Sequence, residues 1–407
     1  MTIYLDDAPI RAQRGEPLAV ALLAAGKVTL ARSPKLHRPR APSCLRGGCD
    51  GCLARVDGVP NVMTCLRGVK GGEHIETQNV IGSRESDLLR VSDWFFPKGI
   101  DHHHLMAGIP GVSGVVQAFA RKLAGLGQLP DRPLATQPAR IAEADAIVVG
   151  AGLAGRVIAS RIAASGAKVM VVDDGVSPGG ALLGAPALRA EIEARYPLDG
   201  VEVLSGSVAA GVYLGDVLVG SESGAIVARA RAKVFATGAH DGVLTVPNND
   251  LPGLFSARAI ATLAAHGIVP EGRVAIVGDG YWAERVAEAV GADRAVRLPV
   301  ASVVGIKGTS RVREVFVRDA KGSYAVDVDV VATALPGAPS FELPEQAGAG
   351  VRFDPKMGYA VNVDDRGRAA DGVWAAGECT GLPFDPEPIV DQAERAAADV
   401  VASLRGS

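Results

Sequence analysis

Four of the chain's five cysteines fall in one short stretch with the spacing C-x4-C-x2-C-x12-C, namely Cys44, Cys49, Cys52 and Cys65. The first three have the plant-type spacing of thiolates that hold a [2Fe–2S] cluster. Gly47, Gly48 and Gly51 lie between them and permit the tight turns that let sulfur atoms converge. The pattern therefore predicts a [2Fe–2S] cluster on these four cysteines.

Two other kinds of site use the same residues. Four thiolates also suit tetrahedral zinc, and Cys49 with Cys52 alone would make a dithiol pair. Zinc-binding cysteines usually come as two C-x2-C-like pairs. Here a four-residue gap, a two-residue gap and a lone distant cysteine follow one another, an order that favours the iron–sulfur cluster.

A second chemical signature starts at Asp145. An apolar strand, Asp145–Val149, runs into a G-x-G-x-x-G turn and a helix through Ala164, and the next strand ends at Asp173. Such glycines let a pyrophosphate approach the backbone at a helix N-terminus, and the acid 18 residues after the last glycine can bind ribose hydroxyls. Strand, helix, strand and acid together predict dinucleotide binding. The candidate residues here are Gly150, Gly152, Leu153, Ala154, Gly155, Asp173 and Asp174.

Three later segments are typical of flavoproteins and predict that the dinucleotide is FAD. Gly180 closes a Pro-Gly-Gly run that suits backbone passing beside a flat ring. Thr237 and Gly238 end a strand in Ala-Thr-Gly, a pattern of flavoproteins where the chain leaves the FAD domain. Gly377 and Glu378 precede a helix predicted at 388–404, and in two-dinucleotide flavoproteins this acid touches the ribityl chain.

A second glycine turn, Gly278–Ala283, follows a strand at Arg273–Val277, but the next strand ends at Leu298 without an acid. Nothing obvious in that position binds an NAD ribose. Arg297 could accept a 2′-phosphate or be a plain surface residue. The sequence leaves NAD(P) binding open against a Rossmann domain kept for packing or for a partner.

The fifth cysteine, Cys379, follows the predicted flavin acid and has no C-x2-C partner. The redox disulfide of a thioredoxin reductase is therefore not expected. We predict a buried thiol, with a role beside the flavin as the alternative. The sequence contains no Ser/His/Asp or paired-carboxylate set suited to hydrolysis, and we assign no catalytic residue.

The elements that position these residues follow from periodicity. Ile3 and Leu5 alternate in a predicted β-hairpin, Pro17 takes the first position of a helix that Gly26 ends, and the cysteine loop follows. This is the order of a β-grasp ferredoxin. We predict an α/β chain in which the β-grasp [2Fe–2S] domain precedes a flavoprotein module with two Rossmann-like dinucleotide-binding domains. The expected ranges are 1–90 for the cluster domain, 91–142 for a linker with a helix, 143–245 with 336–407 for the FAD domain, and 246–335 for the NAD(P)-binding-like domain.

The predicted linker contains three features of its own. Asp93–Gly99 is rich in aromatic residues, His102–His104 follows, and apolar spacing predicts a helix at 113–127 before a proline-rich segment. Three adjacent histidines cannot all face one metal ion, because neighbouring side chains point apart. Packing and hydrogen bonding between domains are the favoured roles for them.

Composition sets the class of protein. The 407 residues are 48% hydrophobic and 21% charged with a net charge of −3, which predicts a globular chain without preference for nucleic acid or anionic membranes. No apolar run approaches the ~20 residues of a membrane span. The N-terminus lacks the pattern of a signal peptide. Cysteines in a ligand spacing indicate a reducing compartment, and we expect the cytoplasm.

On these motifs the chain resembles the α subunit of heterotetrameric sarcosine oxidase. It also resembles a fusion of the [2Fe–2S] and FAD subunits of hydrogen cyanide synthase, opine oxidases and hydroxyproline dehydrogenases. The resemblance implies an electron-transfer FAD/[2Fe–2S] subunit of a hetero-oligomeric amine or amino-acid oxidase or dehydrogenase. In that family a separate flavin-bearing β subunit oxidises the small-molecule amine.

Two departures narrow this expectation. The chain has no room for the aminomethyltransferase-like half of sarcosine oxidase α, and it keeps all four cluster cysteines, which those subunits have generally lost. Both favour the amino-acid or opine dehydrogenase branch. The alternatives are an NAD(P)H-dependent FAD/[2Fe–2S] reductase of an unknown acceptor and a non-catalytic scaffold subunit.

Overall fold

A computed structural model describes residues 1–33, 36–78, 80–91, 93, 129–130, 138–320 and 322–406. The predicted aromatic segment after Asp93, the histidine run His102–His104 and the helix at 113–127 lie outside these described residues.

The N-terminal domain is a β-grasp fold. Its elements are β1 (Thr2–Leu5), β2 (Ala8–Arg11), α1 (Leu18–Ala24), β3 (Ala31–Arg32), β4 (Pro39–Arg40), β5 (Leu53–Val56), β6 (Val59–Met63), β7 (His74–Glu76) and a 3₁₀ turn at Leu88–Arg90. The main sheet has the order β2-β1-β7-β5-β6, in which β7 runs parallel to β1. Leu18 and Leu22 of α1 are buried against this sheet. Pro17 is the N-cap of α1 and not its first residue, because its ψ of 136° is still extended.

The FAD-type domain starts with an open parallel sheet. Its elements are β8 (Ala139–Val149), α2 (Leu153–Ala164), β9 (Val169–Val172), a 3₁₀ turn at Gly180–Gly184, α3 (Pro186–Arg195), β10 (Glu202–Leu204), β11 (Val208–Tyr213), β12 (Asp216–Ser221), β13 (Gly224–Phe235) and β14 (Ala239–His240). The strands β10, β9, β8 and β13 lie side by side in parallel. The strand predicted at Asp145–Val149 is longer than expected, because its first half also pairs with the first half of β13.

A second parallel sheet follows. Its elements are β15 (Leu254–Ser256), α4 (Ala257–Ala265), β16 (Val274–Gly278), α5 (Tyr281–Val290), β17 (Ala295–Leu298), a 3₁₀ turn at Val300–Ser302, β18 (Val303–Gly308), β19 (Val312–Asp319), β20 (Gly322–Asp327) and β21 (Val330–Ala334). The sheet order is β15-β21-β16-β17, and β18–β20 form a separate antiparallel sheet. The second βαβ unit of the sequence is therefore present, with its glycine turn between β16 and α5.

The chain then returns to the first parallel sheet. The last elements are β22 (Ala338–Pro339), α6 (Glu342–Gln346), β23 (Val351–Asp354), β24 (Gly358–Val361), β25 (Arg368–Ala370), β26 (Val373–Ala375), a 3₁₀ turn at Glu378–Thr380 and α7 (Pro386–Arg405). Strand β26 pairs in parallel with the end of β13, which places Ala375 beside Phe235. Helix α7 packs along α2 through its apolar face. No helix in the described part of the chain combines the length and apolarity needed to cross a bilayer.

The β-grasp domain packs directly against the flavoprotein module. Leu45 and Cys65 from the cysteine loops belong to the same buried cluster as Ala151 and Leu153 of the first glycine turn. The Ser256 backbone N–H donates to the Ser43 carbonyl over 2.8 Å. Three segments far apart in sequence thus meet beside the four cysteines.

Candidate cofactor sites

The four cysteines of the first motif form two pairs. The Sγ atoms of Cys44 and Cys49 lie 3.3 Å apart, and those of Cys52 and Cys65 lie 3.5 Å apart. Three of the four side chains are buried. Among the described residues no group of three or more His, Cys, Asp or Glu side chains is arranged to hold one metal ion. Two pairs of thiolates match a binuclear cluster, in which each iron takes two protein ligands, better than a single tetrahedral zinc.

Hydrogen bonding inside each pair separates the acidities of the thiols. The neighbouring Cys44 lowers the pKa of Cys49 to about 5, and Cys65 lowers the pKa of Cys52. The pKa values of Cys44 and Cys65 are raised by the same two contacts. Backbone N–H groups of Arg46 and Gly47 donate to the Sγ atoms of Cys44 and Cys65 over 3.4 and 3.3 Å. Such amide contacts favour thiolate ligands, so the residues present fit a [2Fe–2S] cluster.

A cavity of about 550 Å³ lies beside the cysteines. Every FAD candidate from the sequence lines it except Gly155. A Cβ on Gly155 would lie 1.9 Å from the Gly150 carbonyl oxygen, so Gly155 allows the turn to pack on itself and does not face the cavity. Gly150 adopts a φ of 97°, and a Cβ there would lie 2.3 Å from the Ala236 oxygen.

The acid after β9 supports the glycine turn. The Ala151 N–H donates to Asp173 Oδ2 over 2.7 Å, and the Gly175 N–H donates to Oδ1 over 3.0 Å. Each carboxylate oxygen keeps a further lone pair for a ribose hydroxyl. Burial raises the pKa of both Asp173 and Asp174. Asp174 also lies in the field of Arg46, a residue of the cysteine loop.

The other end of the cavity is formed by residues from three segments. Thr237 Oγ1 donates to the Ser340 carbonyl over 2.7 Å, which ties the exit of β13 to the returning chain. The Gly377 N–H donates to Gln392 Oε1 of α7 over 2.8 Å. Glu378 is buried and forms a two-bond ion pair with Arg258 of α4. The glycine turn, the acid and these walls fit FAD.

Cys379 does not line the cavity. Its thiol is fully buried and lies 3.3 Å from the Ala376 carbonyl oxygen and 3.5 Å from that of Phe235. Burial raises its pKa to about 11, so the thiol stays protonated at neutral pH. This placement agrees with a buried thiol behind the cavity wall.

The cysteine loop is one wall of the cavity. Leu45, Arg46, Cys65 and Leu66 line it together with Gly150 of the first glycine turn. Cys65, a candidate cluster ligand, therefore borders the space that fits the dinucleotide. No spacing in the sequence links the two motifs, because the contact is between segments 85 residues apart at Cys65 and Gly150.

The second glycine turn is closed by aromatic side chains. Tyr281 and Trp282 at the start of α5 pack on Phe384, with ring centroids 5.1 and 4.6 Å apart. Arg297 pairs with Glu284 through two bonds of 2.8 and 2.7 Å. The Arg297 guanidinium, the candidate for binding a 2′-phosphate, is thus already bound to the Glu284 carboxylate.

The sequence does not predict three of the charged residues near the site, Arg258, Asp241 and Arg46. They lie in three separate segments and form no motif, and only their meeting in space makes them a group. A charged residue in the first turn of a buried helix, such as Arg258 in α4, is the signal that could have pointed to them.

Two family models match the chain. The 2Fe-2S iron-sulfur cluster binding domain matches residues 1–80, and the pyridine nucleotide-disulphide oxidoreductase family matches residues 144–298. Both matches agree with the geometry above. They confirm the predicted fold class and the predicted pair of cofactors, a [2Fe–2S] cluster and FAD.

Two curated relatives are similar in sequence. The alpha subunit of sarcosine oxidase from Rhizobium meliloti (strain 1021) is 28% identical over 370 residues, which cover 80% of this chain and 37% of that protein. An opine oxidase subunit, the one designated A, from Agrobacterium tumefaciens (strain Ach5) is 29% identical over 161 residues, which cover 33% of this chain and 32% of that protein. The matches thus cover about a third of each relative.

Solved structures share the fold. L-proline dehydrogenase from P. horikoshii superposes with a TM-score of 0.71 at 20% identity, over 100% of this chain and 76% of that one. Thioredoxin reductase of Lactococcus lactis superposes with a TM-score of 0.53 at 17% identity, over 65% of this chain and 100% of that one. At these identities the likeness concerns the fold alone.

Proposed function

We propose that this chain, a flavin-dependent oxidoreductase related to subunits of sarcosine oxidase and opine oxidase, is the electron-transfer subunit of an amine- or amino-acid-oxidising complex. The observation that carries the proposal is that Cys65 of the cluster site and Gly150 of the FAD site line one cavity. Electrons from a partner flavoprotein would reach the FAD and cluster of this chain and leave for an acceptor.

In this proposal, the described residues of the two sites bind and orient the cofactors. The cysteine pairs hold one group, and the backbone around Gly150 and Asp173 holds the other. FAD exchanges two electrons with organic donors and single electrons with an iron–sulfur cluster, which makes the pair useful side by side.

The partner and the substrate class come from the relatives. The curated relatives are subunits of a sarcosine oxidase and of an opine oxidase. We therefore place this chain in a hetero-oligomer with a flavin-bearing β subunit that oxidises a small amine or N-substituted amino acid. We assign the complex to the cytoplasm, because cysteine ligands have to stay reduced to bind iron.

A second candidate is an NAD(P)H-dependent reductase, favoured by the glycine turn at Gly278 and by the fold shared with thioredoxin reductase. Three features count against it. No acid follows β17, Arg297 is bound to Glu284, and Tyr281 and Trp282 pack on Phe384, a residue of the flavin cavity. A nicotinamide that approached from this turn would have to displace these rings.

Anaerobic absorbance of the purified chain separates the two candidates. We expect the flavin band to persist with NADH or NADPH and to bleach when an amine substrate is added together with the partner oxidase subunit. Rapid bleaching by either nicotinamide, without that subunit, would replace the first candidate with the second. Protein purified without flavin and iron would point to the non-catalytic scaffold.

A further inference from the structure

Charged side chains of alternating sign connect the cluster loop to the FAD cavity. Arg46 Nη1 lies 4.0 Å from Asp241 Oδ1, and the same oxygen lies 3.5 Å from Arg258 Nε. Arg258 in turn forms its two-bond pair with Glu378. The order is cation, anion, cation, anion, so the group as a whole carries no net charge.

This charge chain is shielded from solvent. The side chains of Arg258, Glu378 and Asp241 are 8%, 9% and 13% exposed. The rings of Trp282 and Phe384 cover Arg258, with centroids 5.6 and 5.9 Å from its guanidinium carbon. Solvent screens ion pairs in such surroundings only weakly, so the loss of one charge changes the electrostatic energy of the neighbouring charges.

Asp241 has the central place in this arrangement. Its carboxylate lies between two guanidinium groups, one on the cluster loop and one on the first turn of α4. Arg46 also donates from Nη2 to the Ala239 carbonyl over 3.0 Å. Arg46 and Asp241 therefore join the loop that holds Cys44 to the segment that leaves the FAD domain.

A small cavity of about 130 Å³ lies on the same contact, lined by Cys44, Cys49, His240 and Asp241 among others. Arg46 Nη1 and Asp241 Oδ2 are buried and have no hydrogen-bond partner among the described side chains and backbone. The cavity has room for a few water molecules that would bridge them, since each takes about 30 Å³ in the liquid.

We propose that Asp241 is a positioning residue that holds the cluster loop against the flavin cavity by bridging Arg46 and Arg258. The inference rests on the proposed function, in which the two cofactor sites exchange electrons, and it adds the residue that fixes their relative position. Without the Asp241 carboxylate, the buried guanidinium of Arg258 and the 28% exposed Arg46 side chain lose the anion between them, and the loop is no longer held to α4.

The test is hydrogen–deuterium exchange on the full chain with its cofactors. Asp241→Asn keeps the size of the side chain and removes the charge. We expect about tenfold faster exchange of the amides at 43–48 and 239–242. The control Glu222→Gln removes the ion pairs of Arg67 and Lys70, which also join the cluster domain to the FAD domain, and should leave these amides unchanged.

The midpoint potential of the cluster gives a second readout. Loosened packing alone would not raise this potential in one variant and lower it in the other. EPR-monitored titration should show a higher midpoint potential in Asp241→Asn, a lower one in Arg46→Gln and the wild-type value in Glu222→Gln. The double variant Asp241→Asn/Arg46→Gln should exchange at 43–48 no faster than the faster of the two single variants, because both substitutions break the same bridge.

Wild-type exchange at 43–48 in Asp241→Asn, or equal acceleration in Glu222→Gln, would overturn the proposal. So would potentials that move in the same direction in both single variants. The exchange readout needs no electron donor. A failure of the electron-transfer role, seen as no reduction through a partner subunit, is therefore measured separately from a failure of Asp241.

Discussion

At the scale of residues, the cluster site consists of two thiol pairs and not of four equivalent sulfurs. Cys44 pairs with Cys49, and Cys52 pairs with Cys65. Loss of one sulfur leaves one iron with a single cysteine. The other pair and the separate FAD site keep all their residues.

We predict that Cys52→Ser loses most of the iron–sulfur absorbance and retains FAD, because Gly150 and Asp173 are held by other strands. The measurement is the visible spectrum with iron and flavin analysis after anaerobic purification. Cys379→Ser is the matched control, since this buried thiol lines neither cavity, and it should keep both cofactors. Near-stoichiometric zinc in the wild-type chain would contradict the cluster assignment.

Residue spacing along the chain predicts functional residues that lie close together in the sequence. The cysteines and the first glycine turn can be found because a cluster and a pyrophosphate each need several contacts from one short loop. Arg46, Asp241 and Arg258 come from three segments, and each of them alone resembles an ordinary charged residue. The flavoprotein pattern predicts Glu378 beside the ribityl chain. It does not reveal the ion pair with Arg258, because that pair depends on where α4 packs.

At the scale of elements, α2 and α7 are held together on both their apolar and their polar sides. Arg161 of α2 forms a two-bond ion pair with Glu394 of α7, and the Tyr196 hydroxyl donates to the same carboxylate over 2.7 Å. The Arg161 guanidinium lowers the pKa of Glu394, and the Tyr196 hydroxyl lowers it further. This pair stabilises the helix that the glycine turn opens.

We predict that Glu394→Gln lowers the free energy of unfolding at pH 7 by up to about 1 kcal/mol, because the pair is partly exposed. The folded pKa lies below the unfolded one, so the stabilisation is complete above about pH 4.5 and is lost as the pH falls below it. Urea unfolding at several pH values measures this. Glu202→Gln, which affects an exposed pair with Arg140 at the sheet edge, is the control. A difference that persists unchanged at pH 3 would contradict the prediction.

Element types are easier to predict than element lengths. The apolar run at Asp145–Val149 identifies a buried strand, but the mixed, alanine-rich residues before it give no sign that β8 begins at Ala139. Those residues form a strand because β13 offers them a partner, which is a tertiary effect. The exact start of α1 at Pro17 is also hard to predict, because the fixed φ of proline suits both the N-cap and the first helical position.

At the scale of the molecule, the cluster domain and the flavoprotein module behave as one packed body around the cavity. Gly68 of the cluster domain faces Val176 of the FAD domain, and a Cβ on Gly68 would lie 2.8 Å from the Val176 Cγ1. A larger residue at this point has to displace the Val176 side chain or shift the contact between the two domains.

We predict that Gly68→Leu retains both cofactors but slows reduction of the cluster after flash reduction of the flavin by at least about tenfold, because electron exchange depends on their separation. Gly220→Leu is the control, since a Cβ there would meet no atom within 4 Å. Equal rates in the two variants would show that the domain contact does not set the rate.

The sheet that holds the FAD candidates is completed late in synthesis. Strand β26 lies beside the end of β13, yet 140 residues separate Ala375 from Phe235 along the chain. At ~5–20 residues per second a ribosome takes roughly 7–28 s to make them. During that interval the end of β13, Lys233–Phe235, has an unpaired edge, and such edges are where nascent chains associate with one another. Gly377 and Glu378 of the cavity wall come after this late strand, so the wall is complete only once this segment has been translated.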